Sequence, residues 1–299
     1  MLSVALAVLA AVGNALASVL QRRAGADQPE EQARGPRLLW RLAHRPDWLG
    51  GIAALVVGFL LQAAALSTGP VALVQPILVL ELPFTLLLAQ VVFRARLHGR
   101  EWGAVVGMSV GLAGLLYALR PGHGDPANVP TSRWAVGMAA VLAVSVLCAV
   151  IGFRAAGTRR AAFLGLATGI GFALTAVLVA GIGATYSRNG ISGVLTSPLT
   201  YLLVVLGPGF FFLLQKALQA GPLVASQPAL TLSNPVVAVA FGVVVFREHV
   251  RMDGWLALAV AAAALIAACT VVLARSPLLR GGERAGSDLG PRETARRPA

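Results

Sequence analysis

ALSTGPVALVQPILVLELP, from Ala65 to Pro83, returns later in the chain as ALQAGPLVASQPALTLSNP, from Ala217 to Pro235. Gly69 and Gly221 set a separation of 152 residues. At that separation Pro70 matches Pro222, Gln75 matches Gln227, Pro76 matches Pro228 and Pro83 matches Pro235. Both copies run on to a Phe-Arg pair, Phe93-Arg94 and Phe246-Arg247, and then to Trp102 and Trp255, now at a separation of 153. Apolar low-complexity sequence matches itself by chance. Gly-Pro, Gln-Pro and Pro at fixed spacing do not, so the chain carries an internal repeat.

The 299 residues are 57% hydrophobic and only 12% charged. Soluble domains are about 25% charged, so this composition belongs in a bilayer. A helix needs about 20 apolar residues to cross one. Nine stretches meet that ruler: Leu2–Leu20, Trp48–Leu66, Val71–Phe93, Trp102–Leu119, Trp134–Phe153, Ala161–Tyr186, Leu199–Leu214, Leu223–Phe246 and Trp255–Leu273. The expected fold class is therefore all-α, a polytopic transmembrane helix bundle. Trp48, Trp102, Trp134, Tyr186 and Trp255 bound several spans, as interfacial anchors do. No basic residue precedes the first apolar run, so it reads as a retained span rather than a signal peptide.

The net charge of +12 reads as topology. Arginines crowd the first, third and fifth connections and the tail, while the alternate connections are poorer in them. Positive-inside then puts the N-terminus outside and the C-terminus in the cytoplasm. No basic patch is interleaved with aromatics, which excludes nucleic acid as a partner. Gly13-Asn14-Ala15-Leu16 resembles Gly171-Phe172-Ala173-Leu174, so spans 1–4 correspond to spans 6–9. The displacement of five spans is odd, and the two copies must cross in opposite directions. An inverted-topology repeat around broken helices is the mark of secondary transporters. The halves are read as 1–133, with a basic cytoplasmic loop at 21–46, and 134–275. A disordered tail follows at 276–299.

The two-copy layout, the Gly-Pro openings, the mid-span prolines and the Phe-Arg-Glu-His turn at Phe246–His249 resemble the drug/metabolite transporter (DMT) superfamily, in its EamA-like form. Glu248 and Gly254-Trp255 carry the turn and the following span; Ala95 stands at the Glu position of the first copy. One helix, a long basic loop and then a Trp-led helix resemble the nine-span NIPA-type branch associated with magnesium. The resemblance implies a prokaryotic plasma-membrane transporter working by alternating access.

Of the twelve acidic residues, only Glu81 lies well inside a span. A carboxylate there costs about 2.5–3.5 kcal/mol even on the lenient insertion scale. It reads either as a proton or cation site or as a structural hydrogen-bonder. Gln227, Thr231 and Asn234, at i, i+4 and i+7, share one helical face, as cavity lining or as interhelical glue. Gln75 and Gln227 precede Pro76 and Pro228. With Pro83 and Pro235, these prolines are expected to break the third and eighth spans. Asn14 is a further polar group inside a span. Cys148 and Cys269 read as buried apolar residues, and all four histidines fall in connections. No catalytic motif, metal-ligand spacing or cofactor motif occurs, so neither an enzyme nor a cofactor is expected. The expected partners are the bilayer and a small-molecule or cation substrate, with a homodimer left open. A small organic metabolite leads. A divalent cation such as Mg²⁺, held at Glu81, and a non-transporting scaffold are the alternatives.

Overall fold

The computed structural model describes residues 1–26, 46–93, 97–122, 124, 126–220, 223–251 and 254–276. Most of the basic loop, the Arg94–Ala95–Arg96 turn, the second Gly-Pro pair and the tail after Ser276 lie outside the described residues. Within them all regular structure is helical: α1 (Leu2–Ala26), α2 (Pro46–Thr68), α3 (Val71–Leu78), α4 (Glu81–Val92), α5 (Gly99–Leu119), α6 (Thr131–Arg154), α7 (Gly157–Thr196), α8 (Pro198–Gln219), α9 (Leu223–Val244) and α10 (Leu256–Ala274), with one 3₁₀ turn at Pro126–Asn128. Taking α3 and α4 as one span, nine stretches of the described residues are long and apolar enough to cross a membrane.

Burial supports a membrane reading. In α1, Ala7, Ala10, Ala11 and Ala15 are fully buried, whereas Leu9 and Leu16 are exposed. On α8, Val204, Val205, Phe211 and Phe212 all face outward. Small residues inside and large apolar ones outside would be ruinous in water. In lipid, small residues bring backbones close while large ones meet acyl chains. Gly13 of α1 shows this: a Cβ built on it would lie 3.1 Å from the Gly58 Cα of α2.

The connections sort onto two faces. The one after α9 bonds to the start of α3 through Glu248. It also bonds to the end of α5, by Arg251 N–H to the Leu119 carbonyl and Gly122 N–H to the His249 carbonyl. Arg188, late in α7, donates to Asn128 on that same face. On the opposite face Ser276, after α10, bonds to Glu101 at the start of α5. This is the alternation that single crossings require.

α1 packs on α2 and on both α3 and α4; α7 packs on α8 and α9; α3 packs on α9, and α5 on α10. α6 packs on α7. α7 is longer than its apolar core because helix continues to Thr196 past Gly190, whose φ of 63° marks a kink. Ser197 then caps α8 by accepting from Leu199 N–H, with proline at the first position.

The two repeat spans differ. The third is interrupted but stays helical: Val79 and Leu80 lie between α3 and α4 with helical φ/ψ, tightened by i→i−3 bonds from Val79 to Pro76, Leu80 to Ile77 and Leu82 to Val79. The eighth is not interrupted. α9 runs unbroken through Pro228 and Pro235, which corrects the expectation of a break there. Proline removes one helix bond and favours a kink; whether the chain leaves the helix depends on its neighbours. Glu81 opens α4, where a carboxyl suits the positive end of the helix. Its counterpart Ser233 sits in mid-helix, bonding the carbonyls of Leu230 and, across to α7, Leu166.

Candidate functional site

Glu81 is the first residue of α4, and its partner is Asn14 of α1, whose side chain hydrogen-bonds the carboxyl. Asn14 is held in turn by close packing, since a Cβ on Gly58 would collide with its Oδ1. Thr85 Oγ closes the first turn of α4 by donating to the Glu81 carbonyl, 2.7 Å. α1, α2 and α4 thus converge on one carboxyl at the point where the third span is interrupted.

Gln75 lies on α3, just before the interruption. It is 1% exposed, and neither its Oε1 nor its Nε2 has a hydrogen-bond partner among the described residues. An unpaired buried amide costs about 1–3 kcal/mol per group, so Gln75 does not cap its own break. On α9, Asn234 Oδ1 and Ser226 Oγ are likewise buried and unpartnered. Gln227, Thr231 and Asn234 are half-buried on the face that also carries buried Ala238. The face carrying Ser226 and Ser233 is pressed against Gly165 and Gly169 of α7. Glu81 is therefore paired with α1, while the polar stripe belongs to α9. α3 and α9 pack on one another between the two.

Among the described residues no three His, Cys, Asp or Glu side chains gather as metal ligands would. Cys148 and Cys269 are buried and unpaired as thiols.

Glu248 reads in the sequence as part of a turn motif, with no role in the site. Its carboxylate accepts from Val71 N–H at 2.7 Å and from Ala72 N–H at 2.8 Å. Those are the first amides of α3, whose N-cap, Pro70, offers no side-chain acceptor. Helix-opening amides need an acceptor, and Glu248 brings one from 177 residues away. Glu248 N–H bonds the Gly242 carbonyl, 3.0 Å. Gly242 and Gly124 leave no room for a Cβ beside the carboxyl. Phe246, 1% exposed, is locked among Trp134 and Phe241, with ring centroids 5.1 and 5.4 Å away. Between these anchors Arg247 takes a φ of 56°, uncommon for a side-chain-bearing residue. Burial pushes the Glu248 carboxyl up to about 6, outweighing the two amide bonds that pull it down. The available signal was the pairing of a Gly-Pro helix start that lacks a cap with a Glu in the repeat's turn.

No protein-family model matches the chain, and no solved structure does. An uncharacterized protein of Corynebacterium glutamicum is 29% identical over 290 residues, covering 93% of this chain and 98% of its own length. The similarity therefore runs end to end, through both copies of the repeat.

Proposed function

We propose that this chain is an integral membrane secondary transporter of the drug/metabolite type, moving a small organic metabolite by alternating access. The observation that carries the reading is the interrupted third span. A carboxyl shared with α1 and an unpartnered buried glutamine flank an interruption that a purely structural helix has no need of. A mid-helix turn of i→i−3 bonds often marks a functional hinge, and interrupted spans are where transporters bind.

The inverted repeat is part of the reading, and residue pairs support it. Gly13 lies against Gly58, and Gly171 lies against Phe210; these are equivalent positions in the two copies. α1 meets α4 as α7 meets α9, and the equivalents α3 with α9 and α5 with α10 pair across the halves, where α2 also meets α7. The N-terminus is assigned outside and the C-terminus to the cytoplasm of a prokaryotic cell. In a chain freed of native cysteines, Cys at Ser67 should react with an impermeant reagent from outside, and Cys at Gln219 only from inside. Labelling of both from one side would end the inverted-repeat reading.

The decisive experiment is uptake or efflux by the purified protein in sealed liposomes, screened over small amines, amino acids and organic acids, with Mg²⁺ in a parallel arm. Concentrative flux of an organic solute supports the proposal. Flux of Mg²⁺ alone would transfer it to the divalent-cation alternative, and absence of flux in every arm would favour a scaffold.

A further inference from the structure

A lateral groove runs between α9 and α10, floored by α5 and by the interrupted third span. Its volume is about 550 Å³ and every side chain lining it is apolar. Its deep end is built by Pro76, Val79 and Leu232, at the interruption; its shallow end by Leu119, Val250 and Leu256, at the face where Glu248 sits. Along α9 it extends from Leu232 to Val244, roughly 18 Å at 1.5 Å per residue. That is a little over half of a hydrocarbon core about 30 Å thick. The groove is as deep as one leaflet.

Its shallow rim is of a different chemistry. Arg120 and Arg251 each directly follow a lining residue, Leu119 and Val250. The Arg251 guanidinium stacks over the Trp255 ring at 5.0 Å, and Tyr117 meets the same ring edge-on at 5.3 Å. Trp and Tyr mark the headgroup level of a bilayer, and arginine offers a fork of donors matched to phosphate. Among the described residues of the neighbouring connection the acid is Glu248, which is buried and committed to Val71 and Ala72. A cleft one leaflet deep, wholly apolar within and rimmed by arginines at headgroup height, fits one molecule shape: an acyl chain below an anionic head.

We propose that the groove between α9 and α10 is a specific site for one anionic phospholipid, with an acyl chain along Val239 and Val243 and its phosphate at Arg120 and Arg251. The exposed face of α8 gives the contrast. Val204, Val205, Phe211 and Phe212 make ordinary contact with bulk lipid. The site is independent of the transport reading. Its occupant would touch Pro76 and Val79, on the span that is interrupted.

The test uses the full chain in nanodiscs of phosphatidylcholine doped with phosphatidylglycerol bearing a photoreactive group on its acyl chain. After illumination, labelled peptides are mapped by mass spectrometry, with the equivalent phosphatidylcholine probe as comparison. Label from the glycerol lipid should concentrate in α9 and α10, at least fivefold over the choline probe. Arg120→Gln with Arg251→Gln should abolish that preference, and Val239→Trp should remove the groove label while leaving label on α8. Arg120 is exposed and Arg251 half-buried, so Arg120→Gln alone, which should already weaken the preference, keeps the fold even where the double replacement or the tryptophan does not. Equal labelling by the two probes, label spread evenly over α8, α9 and α10, or a preference that survives both Arg replacements would overturn the site and leave only bulk lipid contact.

Discussion

The helix opening after Pro70 and the helix opening after Pro222 match in sequence, with proline at the same two places, yet they end differently. The first starts on a carboxylate supplied from the far end of the chain, is interrupted at Val79–Leu80, and resumes with Glu81 held by Asn14. The second is one helix through both prolines and carries amides and hydroxyls instead of an acid. The chemistry and the partners at those positions have diverged: Asn14 meets Glu81 in one half, while in the other Ser233 meets Leu166 and Gly169 of α7. Glu248, too, has only Ala95 as its counterpart. A repeat of this kind constrains which helices meet. It leaves free which meeting point titrates.

Replacement of the two equivalent residues tests that division most directly. Glu81→Gln should insert, fold and still exchange substrate, but lose ion-driven accumulation at least tenfold; Ser233→Ala should accumulate near the parental rate. Accumulation by Glu81→Gln at the parental rate across the pH range would make Glu81 a structural hydrogen-bonder and erase the contrast between the halves.

The next largest effect concerns the start of α3. Glu248→Ala strands two buried amides and should cost about 3 kcal/mol, read as a lowered unfolding temperature and faster hydrogen exchange at Val71 and Ala72. The substitution Glu248→Gln keeps an acceptor and should cost less than half of that. Equal, small losses for both would mean that the clasp contributes little.

A pH dependence of the same clasp is smaller. The Glu248 carboxyl stands at about 6 against an ordinary 4.5. Opening returns it to water, so protons favour the closed form. That contribution is fully present below pH 4.5 and is lost as pH rises through 6. About 1.5 units correspond to roughly 2 kcal/mol, or about 30-fold. Protection of the Val71 and Ala72 amides, corrected for intrinsic exchange, should therefore rise as pH falls from 7 to 4.5. It should be flat in Glu248→Gln, which retains His249 as an internal control. Protection that falls with acid would reverse the sign and point to a carboxyl that stays buried when the clasp opens.

The smallest effect separates the faces of α9. Asn234→Leu should reduce transport several-fold with a stability change under about 1 kcal/mol, because Asn234 Oδ1 has no described partner to lose. Matching losses of stability and transport would mark the stripe as glue between helices.

Much of this architecture was legible in the sequence. Apolar run lengths located nine membrane-length helices because length and hydropathy are all that spanning requires. Asn14 and Glu81 each stood out as polar groups inside spans, but nothing local announces that they touch; that follows from the packing of α1 on α4. The fate of the prolines was not legible either. Pro228 has the same spacing to Pro235 as Pro76 has to Pro83, yet α9 is continuous where the third span is interrupted. Glu248 lies in a connection among charged residues, where a carboxylate usually meets water. Only the folded chain reveals that it is buried.

The distance in sequence between Val71 and Glu248 has a consequence for how the protein is made. At about 5–20 residues per second, the ribosome adds the 177 residues between them in roughly 9–35 s. Through that interval the third helix is already synthesised with its first amides unanswered. They are satisfied only once eight spans have been delivered to the bilayer. A nascent or truncated chain therefore presents an unfinished helix end until the residues that follow α9 have been made.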